Sequence, residues 1–174
     1  MSDTLITIVA ILLAAVLMFI FPLLSISERS DDISQLSVQT ATSEFVDNSR
    51  SVGKITMEEY TKLLNTINAT GNAYDVELEV KILDENVGKK SAWTQGTVIG
   101  ENIYYSIYTS QIVETLEKDG VYTMKEGDIF SASVKNTNKT LSQTIRSVFY
   151  SVQGNDVYTI AAQHSGIVTA NGSI

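Results

Sequence analysis

Few residues in this chain are equipped for covalent chemistry. Ser51-Val-Gly-Lys54 matches the S-x-x-K pattern, in which a lysine one helical turn from a serine takes its proton and makes it a nucleophile. The S-D-N and K-T-G elements that accompany the pattern do not occur, and Gly53 interrupts the turn, so the match reads as coincidence. Asp84-Glu-Asn86-Val-Gly88 sets carboxylate and amide oxygens ahead of a glycine, as a calcium loop does. It lacks the bidentate glutamate and the other ligands of an EF-hand, and reads as an acidic turn. His164 is the single histidine and there is no cysteine, so thiol catalysis, disulfides, thiolate metal sites and histidine-rich metal sites are excluded. Asn68, Asn138 and Asn171 open glycosylation sequons of the kind that arise by chance in a chain rich in Thr and Asn. No glycine loop suited to cradling phosphate is present. Tyr104, Tyr105, Tyr108, Tyr122 and Tyr158 could line a binding face but read more simply as half-buried sheet and helix residues. The expectation is a protein that is not an enzyme and holds no cofactor and no metal.

Composition narrows the class further. The 174 residues carry 20 acids against 12 bases, a net charge of −8. With a pI near 4.6 this excludes the basic footprint of a nucleic-acid binder. The mean hydropathy is +0.07, yet the apolar residues concentrate in the first 24 positions. The remainder is a polar, acidic stretch of about 145 residues, one ordinary domain in length.

Leu5 to Leu24 reads LITIVAILLAAVLMFIFPLL, without a charge. At 1.5 Å per residue it spans about 30 Å, the thickness of a bilayer's hydrocarbon core. No Lys or Arg precedes it, and Pro22-Leu23-Leu24 is bulky where signal cleavage needs small residues, so the segment is expected to be a retained anchor. A short tail on the inner side and the acidic domain outside is the expected orientation. Beyond Ser25 the helix should continue to about residue 51. Ile33, Leu36, Thr40 or Ala41, Phe45 and Val52 form a thin stripe at helical spacing, this half should lie under the domain, and Gly53 should cap it. Pro22 should loosen or kink the helix near the membrane boundary. Two separate helices with a break over residues 25–32 are the alternative.

Thr56-Met-Glu-Glu59 is a capping box that opens a short helix ended by Gly71. Residues 73–83 alternate, with Tyr74, Val76, Leu78, Val80 and Ile82 on one side and Asp75, Glu77, Glu79 and Lys81 on the other, a half-buried strand. Residues 84–100 read as a loop or exposed hairpin. A helix over 103–118 follows, with Tyr105, Tyr108, Ile112 and Leu116 on one face and Gly120 as its cap. A strand over 128–134 has residues 121–124 as a candidate hairpin arm. A helix over 139–150 and a last strand over 156–170, with a phase shift through Ala161, Ala162 and Ile167, complete the order. An antiparallel sheet with helices on one face is the simple α+β solution.

An apolar N-terminal helix interrupted by Pro22 thus continues as the amphipathic stretch 30–52, and a small head comes after it. With the phrases GKITMEEYTKLLNTINATGNAYDVELEV and MKEGDIFSASVKN, this layout resembles the pilin-like proteins of tight-adherence (Flp/Tad) and related type IV filament systems, in particular TadE-like minor pilins of Gram-positive bacteria. The resemblance implies an N-terminal unit over 1–52, an extracytoplasmic α+β head over 53–174, and a subunit that self-associates into a helical filament. Its partners would be the membrane and the pilus or secretion assembly proteins, and its place the cell membrane or a surface filament. On that reading Asp3, Leu5, Ile8, Leu12, Val16, Phe19, Pro22, Leu24, Ile33, Leu36 and Phe45 form the assembly and membrane face. Such prepilins carry a basic leader and an acid near the start of the mature helix. This apolar run begins at Leu5 with no basic leader, and only Asp3 stands in the place of the acid, where it would pair with the N-terminal amine of a neighbour. The alternative is a monomeric, membrane-tethered extracytoplasmic binding module of a secretion complex.

Overall fold

The computed structural model describes residues 2–83, 104–149 and 160–172. Helix α1 runs unbroken from Ser2 to Val52, 51 residues and about 75 Å along its axis, with Pro22 and residues 25–32 inside it. The two-helix alternative therefore does not hold. Gly53 ends α1 at φ 74°, its N–H donating to the carbonyl of Ser49 (2.9 Å). Strand β1 (Lys54–Thr56) leads into α2 (Met57–Asn68), whose capping box is complete. Glu59 N–H donates to Thr56 Oγ1 (3.2 Å), and Thr56 N–H to Glu59 Oε2 (3.4 Å). Then come β2 (Tyr74–Leu83), β3 (Tyr104–Tyr108), α3 (Thr109–Asp119), β4 (Val121–Thr123), β5 (Ile129–Asn136), α4 (Leu141–Phe149) and β6 (Ala161–Ile167).

Four strands form an antiparallel sheet in the order β3-β2-β5-β6. Register is set by the alternation in β2: Val80 pairs with Phe130, Leu78 with Ala132 and Val76 with Val134, so the apolar residues of both strands share one face. The other face carries Glu77, Glu79, Lys81, Ser131, Ser133 and Lys135. The helices cover only the apolar face, as the α+β reading expects. Phe45 of α1 meets Phe130 edge-on at 5.7 Å between ring centres, the joint between helix and sheet.

Three local readings need correction. Residues 104–108 are strand, not the first turns of a helix. The free edge of β2 claims them, with Ile107 opposite Val80 and Tyr105 opposite Ile82, and this cross-strand pairing outweighs the helical spacing. Of the four residues assigned to the helix face only Ile112 and Leu116 are buried. Residues 121–123 pair with β1, not with β5, closing a separate two-stranded sheet. Among its described residues, from Ile160 onward, the last strand shows no phase shift. Ile160, Ala162 and Val168 are buried while Ile167 is 58% exposed, so even-numbered positions face α1 throughout. The acidic turn at Asp84–Gly88, the loop over 84–100 and Tyr158 lie outside the described residues.

The face that α1 turns to the domain is unusual in composition. Val38, Phe45 and Val46 are buried with Ser27, Ser34, Thr42 and Ser49. Small side chains let a helix approach a sheet closely, but each buried hydroxyl needs a partner. Ser27, Ser34 and Thr42 donate back to the carbonyls of Leu23, Ser30 and Val38 at 2.7–2.9 Å. Ser49 Oγ is the one buried side-chain polar atom without a partner among the described residues. Further along, polar groups of α1 hold β6. The amide of Gln35 accepts from Ala161 N–H (2.9 Å) and donates to Ala161 O (2.7 Å), and Arg50 O accepts from Thr169 N–H (3.0 Å).

Substitutions at Ser49 and Gly53, with Gly71 as a control, test this packing. A buried hydroxyl without a bond costs about 1–3 kcal/mol. Ser49→Ala should therefore leave stability equal or raise it by about 1 kcal/mol, and a loss of that size in a denaturation curve would show that the hydroxyl is bonded. At Gly53 an added Cβ would lie 2.2 Å from the carbonyl oxygen of Ala170, whereas at Gly71, also at positive φ, it would meet nothing within 4 Å. Gly71→Ala should cost about 1–2 kcal/mol for its backbone region alone. Gly53→Ala should cost at least about 1–3 kcal/mol more. Equal thermal shifts for the two variants would contradict the close crossing at Gly53.

Candidate functional site

The site begins with what α1 leaves uncovered. Its most apolar 18-residue window has mean hydropathy 3.0 and no buried residue, and it is the one helix among the described residues long and apolar enough to cross a membrane. Leu5, Ile8, Leu12, Val16 and Phe19 are 52–77% exposed, and Pro22 is exposed with Leu24 partly covered. Among the described residues, no part of the head folds back on them. Asp3 sits in the exposed first turn, where its backbone carbonyl accepts from Thr7 Oγ1 (2.8 Å).

The apolar surface does not stop at Leu24. Ile26, Ile33 and Leu36 are 63–67% exposed. At 100° per residue, Ile8, Leu12, Phe19, Ile26 and Ile33 fall on one side of α1, so a single strip runs from the apolar segment onto the half that carries the head. The stripe at helical spacing is divided. Ile33, Leu36 and Val52 are exposed, whereas Phe45, expected on the assembly face, is buried in the core and Ala41 partly so. Ser27, Ser34, Val38, Thr42 and Ser49 share the buried side with Phe45.

Beside the strip lies a groove of about 370 Å³ between α1 and α2. Ile33, Leu36, Ala41 and Phe45 line it from α1, and Leu63 from α2. At its rim Lys62 Nζ donates to Glu44 Oε1 (3.2 Å), an exposed pair that adds little stability. Neither Ile26 nor Leu63 belongs to the assembly face expected from the sequence. Extending the apolar side of α1 past Leu24 would have found Ile26. The contribution of Leu63 depends on how α2 crosses α1, which no local pattern reveals.

The residues with chemical potential are dispersed. Ser51 is exposed and donates to Asn48 O (2.8 Å), while Lys54 belongs to β1 beyond the helix end at Gly53. No group of three His, Asp or Glu side chains able to hold a metal occurs among the described residues. Two of the sequon asparagines are built into turns. Asn138 Oδ1 accepts from Ala73 N–H (2.9 Å), and Asn171 Oδ1 from Glu126 N–H (2.9 Å). Tyr105 and Tyr108 are exposed, and Tyr122 is half-buried, its hydroxyl pushed up to about 12 by burial, with Asp128 and Tyr105 adding to the shift. His164 lies on β6 with its Nε2 3.1 Å from Asp47 Oδ1, which also accepts from Arg50 Nε (2.7 Å). This cluster ties α1 to the sheet.

The Asp47 carboxyl is held below its usual 3.8 by the Arg50 hydrogen bond first and the His164 contact second. A depressed folded-state value stabilises the fold above the unfolded value, and that contribution fades as pH falls through the folded one. Asp47→Asn should therefore lower the melting temperature at neutral pH, and the gap from the parent should close below about pH 3.8. A gap that stays constant down to pH 2 would assign the effect to packing.

No protein-family model, curated protein or solved structure matches the chain.

Proposed function

We propose that this protein is a membrane-anchored structural subunit that self-associates through α1 into a surface filament of the tight-adherence or type IV kind, or into its assembly apparatus, with the acidic head displayed outside. The observation that carries the reading is the uncovered apolar segment Leu5–Leu24 on a helix continuous with the head. In water that surface is strongly unfavourable, at about 25 cal/mol per Å² of apolar area. Lipid covers it in the membrane, and other α1 helices would cover it in a filament core.

The strip through Ile26 and Ile33 adds to this reading. Those residues lie among Glu28, Arg29, Asp31 and Asp32, past a hydrocarbon core filled by Leu5–Leu24, so protein rather than acyl chain is their natural cover. The second reading, a tethered binding module of a secretion complex, takes the groove between α1 and α2 as its point of support. The two readings differ in whether like chains associate.

Electron microscopy of cell-surface material, combined with removal of residues 1–27, separates them. The full chain should build regular filaments, and the truncated head should be soluble, folded and unable to assemble. Truncated heads that still form filaments or higher oligomers at micromolar concentration would exclude α1 as the assembly element. Full-length chains that stay single under the same conditions would favour the tethered module.

A further inference from the structure

Contacts along α1 fix the height of each part of the head above the apolar segment. Gln35 holds Ala161 at the start of β6. One turn lower, Asp31 accepts from Thr140 Oγ1 (2.8 Å) and from Ser142 Oγ. Lower again, Glu28 pairs with Arg146, with Nε at 3.1 Å. As the chain advances from Thr140 to Arg146, its partners on α1 move from Asp31 to Glu28. Helix α4 therefore runs antiparallel to α1, toward the apolar end.

Its nine residues rise about 12 Å. The same length measured down α1 from Asp31 arrives at Leu23, inside the last turn of the apolar run. With Leu5–Leu24 filling the hydrocarbon core, Glu28 stands about 6 Å beyond it, and a headgroup layer is roughly 5–8 Å deep on each side.

We infer that the C-terminal half of α4 lies in the lipid headgroup layer and seats the head on the bilayer, a second membrane contact beside α1. This seating presupposes that Leu5–Leu24 spans the bilayer, as proposed above. The chemistry of this end suits a zwitterionic surface. The last five residues of α4 read Ile145-Arg-Ser-Val-Phe149, three apolar types with one hydroxyl and one cation, a composition compatible with an interfacial position. On α1 at the same height Leu23 is 47% exposed. Among the described residues the charges near this end cancel, with Glu28, Asp31 and Asp32 against Arg29, Lys139 and Arg146, whereas the whole chain carries −8. A balanced set on a strongly acidic molecule favours apolar seating over attraction to anionic lipid.

The absence of cysteine makes a direct test simple, because each introduced thiol carries the only spin label. Ser147 is exposed and donates only to Thr144 O (2.8 Å), so Ser147→Cys spares the core. Leu12→Cys reports the middle of the apolar segment, and Ser110→Cys, exposed on α3, reports water. The full-length variants are placed in phosphatidylcholine vesicles, and collision with oxygen is compared with collision with a water-soluble nickel chelate. The oxygen-to-nickel ratio at Ser147 should exceed that at Ser110 several-fold and stay below that at Leu12. Thr144→Cys, one turn higher, should give a smaller ratio than Ser147. A Ser147 ratio equal to that of Ser110, with Leu12 in lipid, would overturn the seating and leave the anchor intact. Shielding of the Ser147 label from both reagents would overturn it in favour of a protein cover. A Leu12 ratio like that of Ser110 would overturn the spanning segment itself, and the seating with it.

Discussion

The structure depends on one helix having to satisfy two different surroundings. Over Leu5–Leu24 α1 is apolar all round, and its most apolar 18-residue window has no buried residue. Over its second half it must seat one side against β5 and β6 while leaving the other to solvent or to partners. The joint is made by Val38, Phe45 and Val46, with Phe45 against Phe130 at the centre of the sheet. Each buried aromatic or aliphatic side chain of this kind contributes about 1.5–3 kcal/mol. Because α1 continues as helix through Pro22, the apolar segment and the seat of the head belong to one element.

The seat is built largely from hydroxyl residues. Ser27, Ser34 and Thr42 present the small volume that close approach needs and satisfy their hydroxyls within α1 itself. Val38, Phe45 and Val46 fill the space between these small residues, and Ile33 and Leu36 lie on the other side of the helix, 63% and 65% exposed. The groove beside the strip arises from the same arrangement, since α2 packs at Phe45 and Leu63 and leaves Ile33 and Leu36 at its margin.

This explains what could and could not be read from the chain. The capping box at Thr56 and Glu59, the alternation of β2 and the stops at Gly53, Gly71 and Gly120 are local signals, and the structure obeys them. The extent of α1 was legible for the same reason. Its buried side was not, because serine and threonine read as solvent-facing until their bonds to preceding carbonyls are known. The pairing of β1 with β4 joins segments more than sixty residues apart and leaves no periodic trace. Residues 104–108 fit two periodicities, and only the presence of an open edge on β2 decides between them. Of the candidate site, the apolar segment was legible from composition alone, whereas the groove required the position of α2.

A sheet with open edges invites a further strand, and a crowded array of heads would multiply that hazard. On the β6 side the invitation is withdrawn at both ends. The amide of Gln35 occupies both backbone groups of Ala161, and the carbonyl of Arg50 takes the N–H of Thr169. The helix that carries the apolar segment therefore also closes this edge of the sheet. In the proposed array, contact between heads would be directed away from β6, and their order would follow helix packing rather than strand exchange.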